Sequence, residues 1–188
     1  KQWLNPAAAI NGRYTLLDGF GVTGEYVFAQ RHPYAYDFAG EEMPNLDPVD
    51  IHLGRAGIFW NNSWLQLASQ LSFIRQTNYK WRTQFNNPNN ETEYTTVFVN
   101  YDVQTIGWTT DMVVQPAKGF TFHALFTLQD PRYKNYEINP TFKDGSTSHV
   151  SFSDKKTVGI SDMILELNPS YTYDRFNIWL SARYSSSY

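Results

Sequence analysis

The chain contains no cysteine, so neither a disulfide framework nor a thiolate metal site is available to it. It also lacks any apolar run near the roughly 20 residues that a membrane-spanning helix needs, which excludes a helical membrane protein. Basic residues are not in excess: 15 Lys and Arg stand against 18 Asp and Glu, giving a net charge of −3 and a pI near 5.8. Nucleic acid is therefore not an expected partner. No signal peptide opens the sequence, which begins Lys1-Gln2-Trp3-Leu4-Asn5-Pro6. Such a segment is lost at maturation, and an internal piece of a longer chain never carries one. Chemical motifs are missing as well. There is no Gly-x-Ser-x-Gly elbow, P-loop or His-Glu-x-x-His, so neither an enzyme nor a cofactor is expected.

What is abundant is aromatic. The chain has 6 Trp, 13 Tyr and 13 Phe, 17% of its residues. Such rings gather where a protein crosses a membrane–water interface, because their bodies are apolar and the tips of Tyr and Trp polar. The mean hydropathy of −0.49 does not oppose this, since barrel strands alternate apolar and polar residues and average out hydrophilic. A soluble β-sandwich with a large aromatic core shares this composition, so pattern has to decide.

Period-two alternation is the main pattern. In Trp64–Lys80, Leu65, Leu67, Leu71 and Phe73 oppose Gln66, Gln70, Gln76 and Asn78. In Phe120–Gln129, Phe120, Phe122, Ala124, Phe126 and Leu128 oppose Thr121, His123, Thr127 and Gln129. In Arg175–Tyr188, Phe176, Ile178, Leu180, Ala182 and Tyr184 oppose Arg175, Asn177, Ser181 and Arg183. Val22, Tyr26 and Phe28 likewise oppose Thr23, Glu25 and Arg31. Between Val97 and Gln115 the apolar set changes phase near Thr105, which suggests a β-bulge. Eight strands follow, near 10–17, 20–32, 51–60, 64–80, 96–115, 120–130, 155–167 and 175–188.

The connections alternate strictly. Asp18-Gly19, Asn61–Ser63, Pro116–Gly119 and Asn168–Asp174 are short; Pro33–Asp50, Trp81–Thr95 and Pro131–Asp154 are long. Bacterial outer-membrane barrels are built this way, with tight periplasmic turns and long outer loops. Long loops inside compact soluble domains are uncommon. Phe20, Trp60, Trp64, Phe120, Tyr173 and Phe176 flank the short turns and form one expected aromatic girdle. Tyr34, Tyr36, Tyr79, Trp81, Tyr133 and Tyr188, near the long loops, form the other. Leu65, Leu67, Leu71, Phe73, Phe122, Phe126, Leu128, Ile178 and Leu180 are then expected to face lipid. Glu25, Arg31, Gln66, Gln70, His123, Gln129, Arg175, Asn177 and Arg183 are expected to face a wet lumen. The fold class is an all-β, antiparallel up-and-down transmembrane barrel segment. Strand direction adds one expectation: both ends of the chain lie outside the cell, so the eight strands do not close on themselves.

The stretch Asn177-Ile178-Trp179-Leu180-Ser181-Ala182-Arg183-Tyr184-Ser185-Ser186-Ser187-Tyr188 resembles the penultimate strand of TonB-dependent outer-membrane receptors, those of Bacteroidetes above all. The segment Leu167-Asn168-Pro169-Ser170-Tyr171-Thr172-Tyr173 is also similar to that family. The resemblance implies that residues 1–188 are the C-terminal part of a barrel of about 22 strands, with the plug domain and final strand absent. It implies uptake of a scarce nutrient such as a siderophore, haem, cobalamin, glycan or peptide. The implied partners are the bilayer, the rest of the barrel and its plug, TonB through segments absent from this chain, and a surface lipoprotein. Two rivals differ in class. A small complete outer-membrane barrel, adhesin or lipid-modifying enzyme, would need periplasmic termini; a soluble carbohydrate-binding module would need no detergent.

The remaining polar residues carry little chemistry. His32, His52, His123 and His149 have no ligand spacing. The loop Glu41–Asp50 gathers four carboxylates, a composition hard cations favour, but a solvated loop has the same composition.

Overall fold

The computed structural model describes residues 5–32 and 47–186. Tyr34, Tyr36, Tyr188 and Glu41 to Leu46 of the acidic loop lie outside them. The chain forms one antiparallel meander. Its strands are β1 (Ala7–Leu17), β2 (Phe20–Arg31), β3 (Val49–Asn61), β4 (Leu65–Asn87), β5 (Asn90–Ala117), β6 (Phe120–Lys134) and β9 (Met163–Tyr173), closed off by β10 (Phe176–Trp179) and β11 (Ala182–Ser185). Each strand bonds to the next in sequence, and β10 and β11 both bond to β9. A two-stranded hairpin, β7 (Glu137–Ile138) with β8 (Val150–Ser151), interrupts the connection from β6 to β9. β1 does not pair with β10 or β11, so the sheet is open at both sides.

Tight turns form where the sequence supplies them. Asp18-Gly19 joins β1 to β2, and Lys118-Gly119 joins β5 to β6, each after a register shift of one residue. Gly19 and Gly119 have φ of 74° and 81°. A Cβ there would sit 2.1 and 2.2 Å from the carbonyl oxygens of Asn61 and Thr172. Those neighbours' amides donate back to the glycine carbonyls, Asn61 to Gly19 and Thr172 to Gly119, each at 2.7 Å. Only glycine meets both demands. In the third turn the Asn62 side chain accepts from the amides of Trp64 and Leu65.

Three expectations need correction. Trp81–Thr95 is not a loop. β4 and β5 run on as a ladder to a tight turn at Pro88-Asn89, because Trp81, Thr83, Phe85, Thr95, Val97 and Val99 favour strand and their inner face is covered. The bulge expected near Thr105 is instead in β4, where Thr77 and Asn78 oppose Asp102 alone. Asn78 has φ 58°, and its amide donates to the Asp102 carboxylate. The third correction concerns the end of the sheet. The last long strand before the edge is 163–173, not 155–167, and its turn is Asp174-Arg175, not Asn168–Asp174. Pro169 lies within β9. Leu180 donates its amide to the Pro169 carbonyl, but Pro169 has no N–H to return. The edge strand accordingly breaks at Leu180-Ser181, between β10 and β11.

Registers fix which side chains share a face, since directly paired residues point the same way. Leu65, Leu67, Leu71 and Phe73 of β4 share a face with Ile58 and Trp60 of β3 and with Ile106, Trp108 and Met112 of β5. Phe122, Phe126 and Leu128 of β6, Leu165 of β9 and Ile178 of β10 continue it. This apolar face is solvent-exposed in the isolated chain: Leu71 is 64% exposed and Phe176 72%. It ends within two residues of one register level. Arg75, Gln104 and Asp130 take the next positions outward on β4, β5 and β6. The apolar stretch therefore covers about ten residues of each strand, the length a tilted strand needs to cross a bilayer.

Candidate functional site

The opposite face of the same strands is polar. Glu25, Arg31, Gln66, Gln70, His123, Gln129, Asn177 and Arg183 all fall on it, and of the nine residues expected to face lipid eight fall on the apolar face, Leu180 lying in the break between β10 and β11. Arg175 departs from expectation: it occupies the turn after Asp174 and belongs to neither face. Of the expected girdle, Phe20, Trp60, Phe120, Tyr173 and Phe176 sit beside the turns, and Trp64 lies within one. The second girdle is corrected. Tyr79, Trp81 and Tyr133 lie on the polar side, because the extra residue at Thr77-Asn78 reverses the alternation in β4 and Tyr133 alternates with the apolar set of β6.

Among the described residues, two ion pairs and one His–Asp hydrogen bond cross strands on the polar face. Arg55 meets Glu25 at 3.0 Å, His123 meets Asp111 at 2.8 Å, and Arg183 meets Glu166 at 3.3 Å. Each is exposed and worth about 0–1 kcal/mol to stability. Their partners Arg55, Asp111 and Glu166 were not singled out from the sequence, although parity with Gln70, His123 and Arg183 assigns them to this face. Near the short turns the Arg13 guanidinium lies 3.5 Å over the Phe59 ring. Phe59 in turn lies over Gly21, where a Cβ would come within 2.5 Å of the ring. Two shallow cavities of about 260 and 240 Å³ adjoin there, and Arg13 lines both. The face offers both signs of charge and many amide groups, and no cluster of three metal-ligating side chains occurs among the described residues.

At the end away from the short turns, the polar face is covered by the connection from β6 to β9. Val99, Tyr136 and Ile138 form a buried core, packed by Phe85, Val97, Tyr101, Tyr133 and Phe152. Tyr101 and Tyr136 stack with centroids 4.6 Å apart. Asn87 is buried and donates to both Glu93 and Asp144, each at 3.0 Å, tying the tip of the β4–β5 hairpin to the covering segment. Lys143 adds a backbone donor to Glu93.

The Asp144 carboxyl is lowered to about 2, chiefly by the hydrogen bond from the Ser146 hydroxyl and then by that from Asn87. A depressed carboxylate stabilises the fold above its ordinary value of 3.8 and loses that contribution as pH falls through about 2. The Ser146 amide donates to Asp144 at 2.9 Å. Its hydrogen exchange, corrected for the intrinsic rate, should therefore quicken as pH is lowered from 4 toward 2. A flat protection factor over that interval would contradict the anchoring role.

An open antiparallel wall with an apolar band, a polar face and a covered outer end is the architecture of a transmembrane barrel segment, and its fold is that of TonB-dependent receptor barrels. The structure is similar to the copper transporter OprC, with a TM-score of 0.65 and 11% identity over 92% of this chain and 26% of that one. It is also similar to the closed form of the ferric-catecholate import receptor Fiu from E. coli K12, with a TM-score of 0.59 and 18% identity over 95% of this chain and 24% of that one. The chain thus spans about a quarter of either receptor's length. No family model and no curated protein sequence matches it.

Proposed function

We propose that residues 1–188 are part of the C-terminal half of the barrel of a TonB-dependent outer-membrane transporter for a scarce nutrient. Siderophores, haem, cobalamin, glycans and peptides are the candidate classes. On this reading the apolar face contacts lipid, and the polar face lines a lumen filled by a plug domain on another part of the polypeptide. TonB acts on that part, and a surface lipoprotein is a further candidate partner. One observation carries the proposal: the sheet has a ten-residue apolar band on one face, charged pairs on the other, and no bond between its first and last strands. A small closed barrel would join β1 to β10 and β11. A soluble module would leave the apolar band in water, where large contiguous apolar patches are rare.

Sidedness tests it in the intact protein. A cysteine at Gly145 should react with an impermeant maleimide on whole cells, with no native thiol of this chain to compete. Cysteines at Asn62 or Lys118 should stay unlabelled until the outer membrane is opened. Labelling of the turns but not of Gly145 would reverse the topology, and recovery of the protein in the soluble fraction would end the proposal.

A further inference from the structure

The apolar face ends at an open groove of about 450 Å³. Its floor is Leu71, Ile106, Trp108 and Leu128, apolar side chains near the end of the band on β4, β5 and β6. Its roof is charged: Asp130, Arg132, Lys156 and Asp162. Every strand around it has both neighbours in place, so the site is complete within this chain.

The charges are arranged in an unusual way. Arg132 and Lys156 are direct cross-strand partners, and like charges in that position repel. Each is held by an acid on its own side, Arg132 by Asp130 at 2.7 Å and Lys156 by Asp162. Neither cation is used up. Arg132 commits one N–H of Nε to Asp130 and one of Nη1 to the Asp154 carbonyl, leaving three of its five donors. The Lys156 ammonium retains donors beyond its bond to Asp162. An oxyanion bridging the two cations would relieve their repulsion and take up those donors. A free phosphate would gain nothing from the exposed floor beneath. An acyl chain would cover it.

We propose that this groove holds a phosphate-bearing lipid of the outer leaflet, with its phosphate between Arg132 and Lys156 and an acyl chain along Leu71, Trp108 and Leu128. The assignment rests on the membrane reading above. The acids of the roof accept from an ammonium or hydroxyl elsewhere on the headgroup, and the groove places the bilayer surface at the level of Asp130.

Native mass spectrometry of the intact protein, extracted in mild detergent, tests the site. The wild type should retain about one phosphate-bearing lipid. The double substitution Arg132→Gln with Lys156→Gln should lower its occupancy at least about tenfold, the loss of charge-assisted hydrogen bonds. Lys118→Gln, in a turn at the other end of β6, should leave it unchanged. A photo-crosslinking residue at Leu71 keeps every charge and should capture a phosphate-containing adduct, which guards against misfolding of the double variant. A detergent-extracted protein with equal lipid in wild type and double variant, or without an adduct at Leu71, overturns the lipid site alone. Extraction without detergent overturns the membrane reading beneath it.

Discussion

Phe126→Arg in the intact protein should cost about 2–4 kcal/mol of unfolding free energy in liposomes, and Thr127→Arg far less. The two residues are neighbours on β6 with the same strand propensity demands and the same distance from either end of the band. They differ in direction. Phe126 is paired with Thr110 and Leu165 on the apolar face, and its ring meets Trp108 edge-on with centroids 5.6 Å apart. It lies between Phe120, beside the short turn, and Asp130, where the face becomes charged, and so falls close to the middle of the band. On the membrane reading a guanidinium there would lack water, and its same-face partners Thr110 and Leu165 offer no carboxylate. Thr127 is paired with Thr109 and Ile164, and its hydroxyl lies 3.3 Å from that of Thr109. Arginine at that position would join a face that already carries Arg55, His123 and Arg183. Equal losses for both variants in urea-induced unfolding would sink the assignment of faces.

The membrane-crossing half of the chain was legible because one physical rule governs it. Period-two alternation at Leu65–Phe73, Phe120–Leu128 and Phe176–Leu180 separates an apolar face from a polar one, and the registers reproduce that separation. Asp18-Gly19 and Lys118-Gly119 were legible because the left-handed turn positions demand glycine. The outer half was misread because the rule changes there. In β5 the apolar residues are even-numbered from Ile106 to Val114 and odd-numbered from Val97 to Val103, yet the backbone has no irregularity between them. The covered side switches: on the proposed reading lipid would meet one face below, and the β6–β9 connection covers the other face above. A change of phase in a sequence is thus also the signature of a change of solvent. The true bulge, at Thr77-Asn78, left no pattern of its own, and it moved Tyr79 and Trp81 to the face opposite Leu71. Pro169 read as a turn because proline usually ends a strand. In β9 its missing N–H points at the one neighbour whose ladder breaks. The cap was not foreseen because its contacts join residues far apart in sequence, Val99 with Tyr136 and Asn87 with Asp144.

Ile138→Ala should release that cap while leaving the membrane-spanning sheet intact. Ile138 is 2% exposed and is the most buried member of the cluster with Val99 and Tyr136. Truncating it removes three buried carbons and leaves a cavity against Val99, for which the expected cost is about 2–5 kcal/mol. That energy belongs to a local unit, because the cluster touches only the extension of β4 and β5 and the segment from Tyr133 to Phe152. Lys143 and Lys155 sit in or beside this segment and offer trypsin sites on its surface. With cleavage limited by local opening, a loss of 2 kcal/mol corresponds to at least about thirtyfold faster cutting there. Ile160→Ala is the control: Ile160 lies in the same connection but outside the cluster and is 39% exposed, so cleavage should stay near the wild-type rate. Thermal unfolding of the barrel should be unchanged in both. A variant in which the cut at Lys143 does not accelerate would mean that the ring contacts and the Asn87–Glu93–Asp144 node hold the segment without Ile138. A variant in which the whole barrel loses stability would mean that the cap and the membrane-spanning wall unfold together.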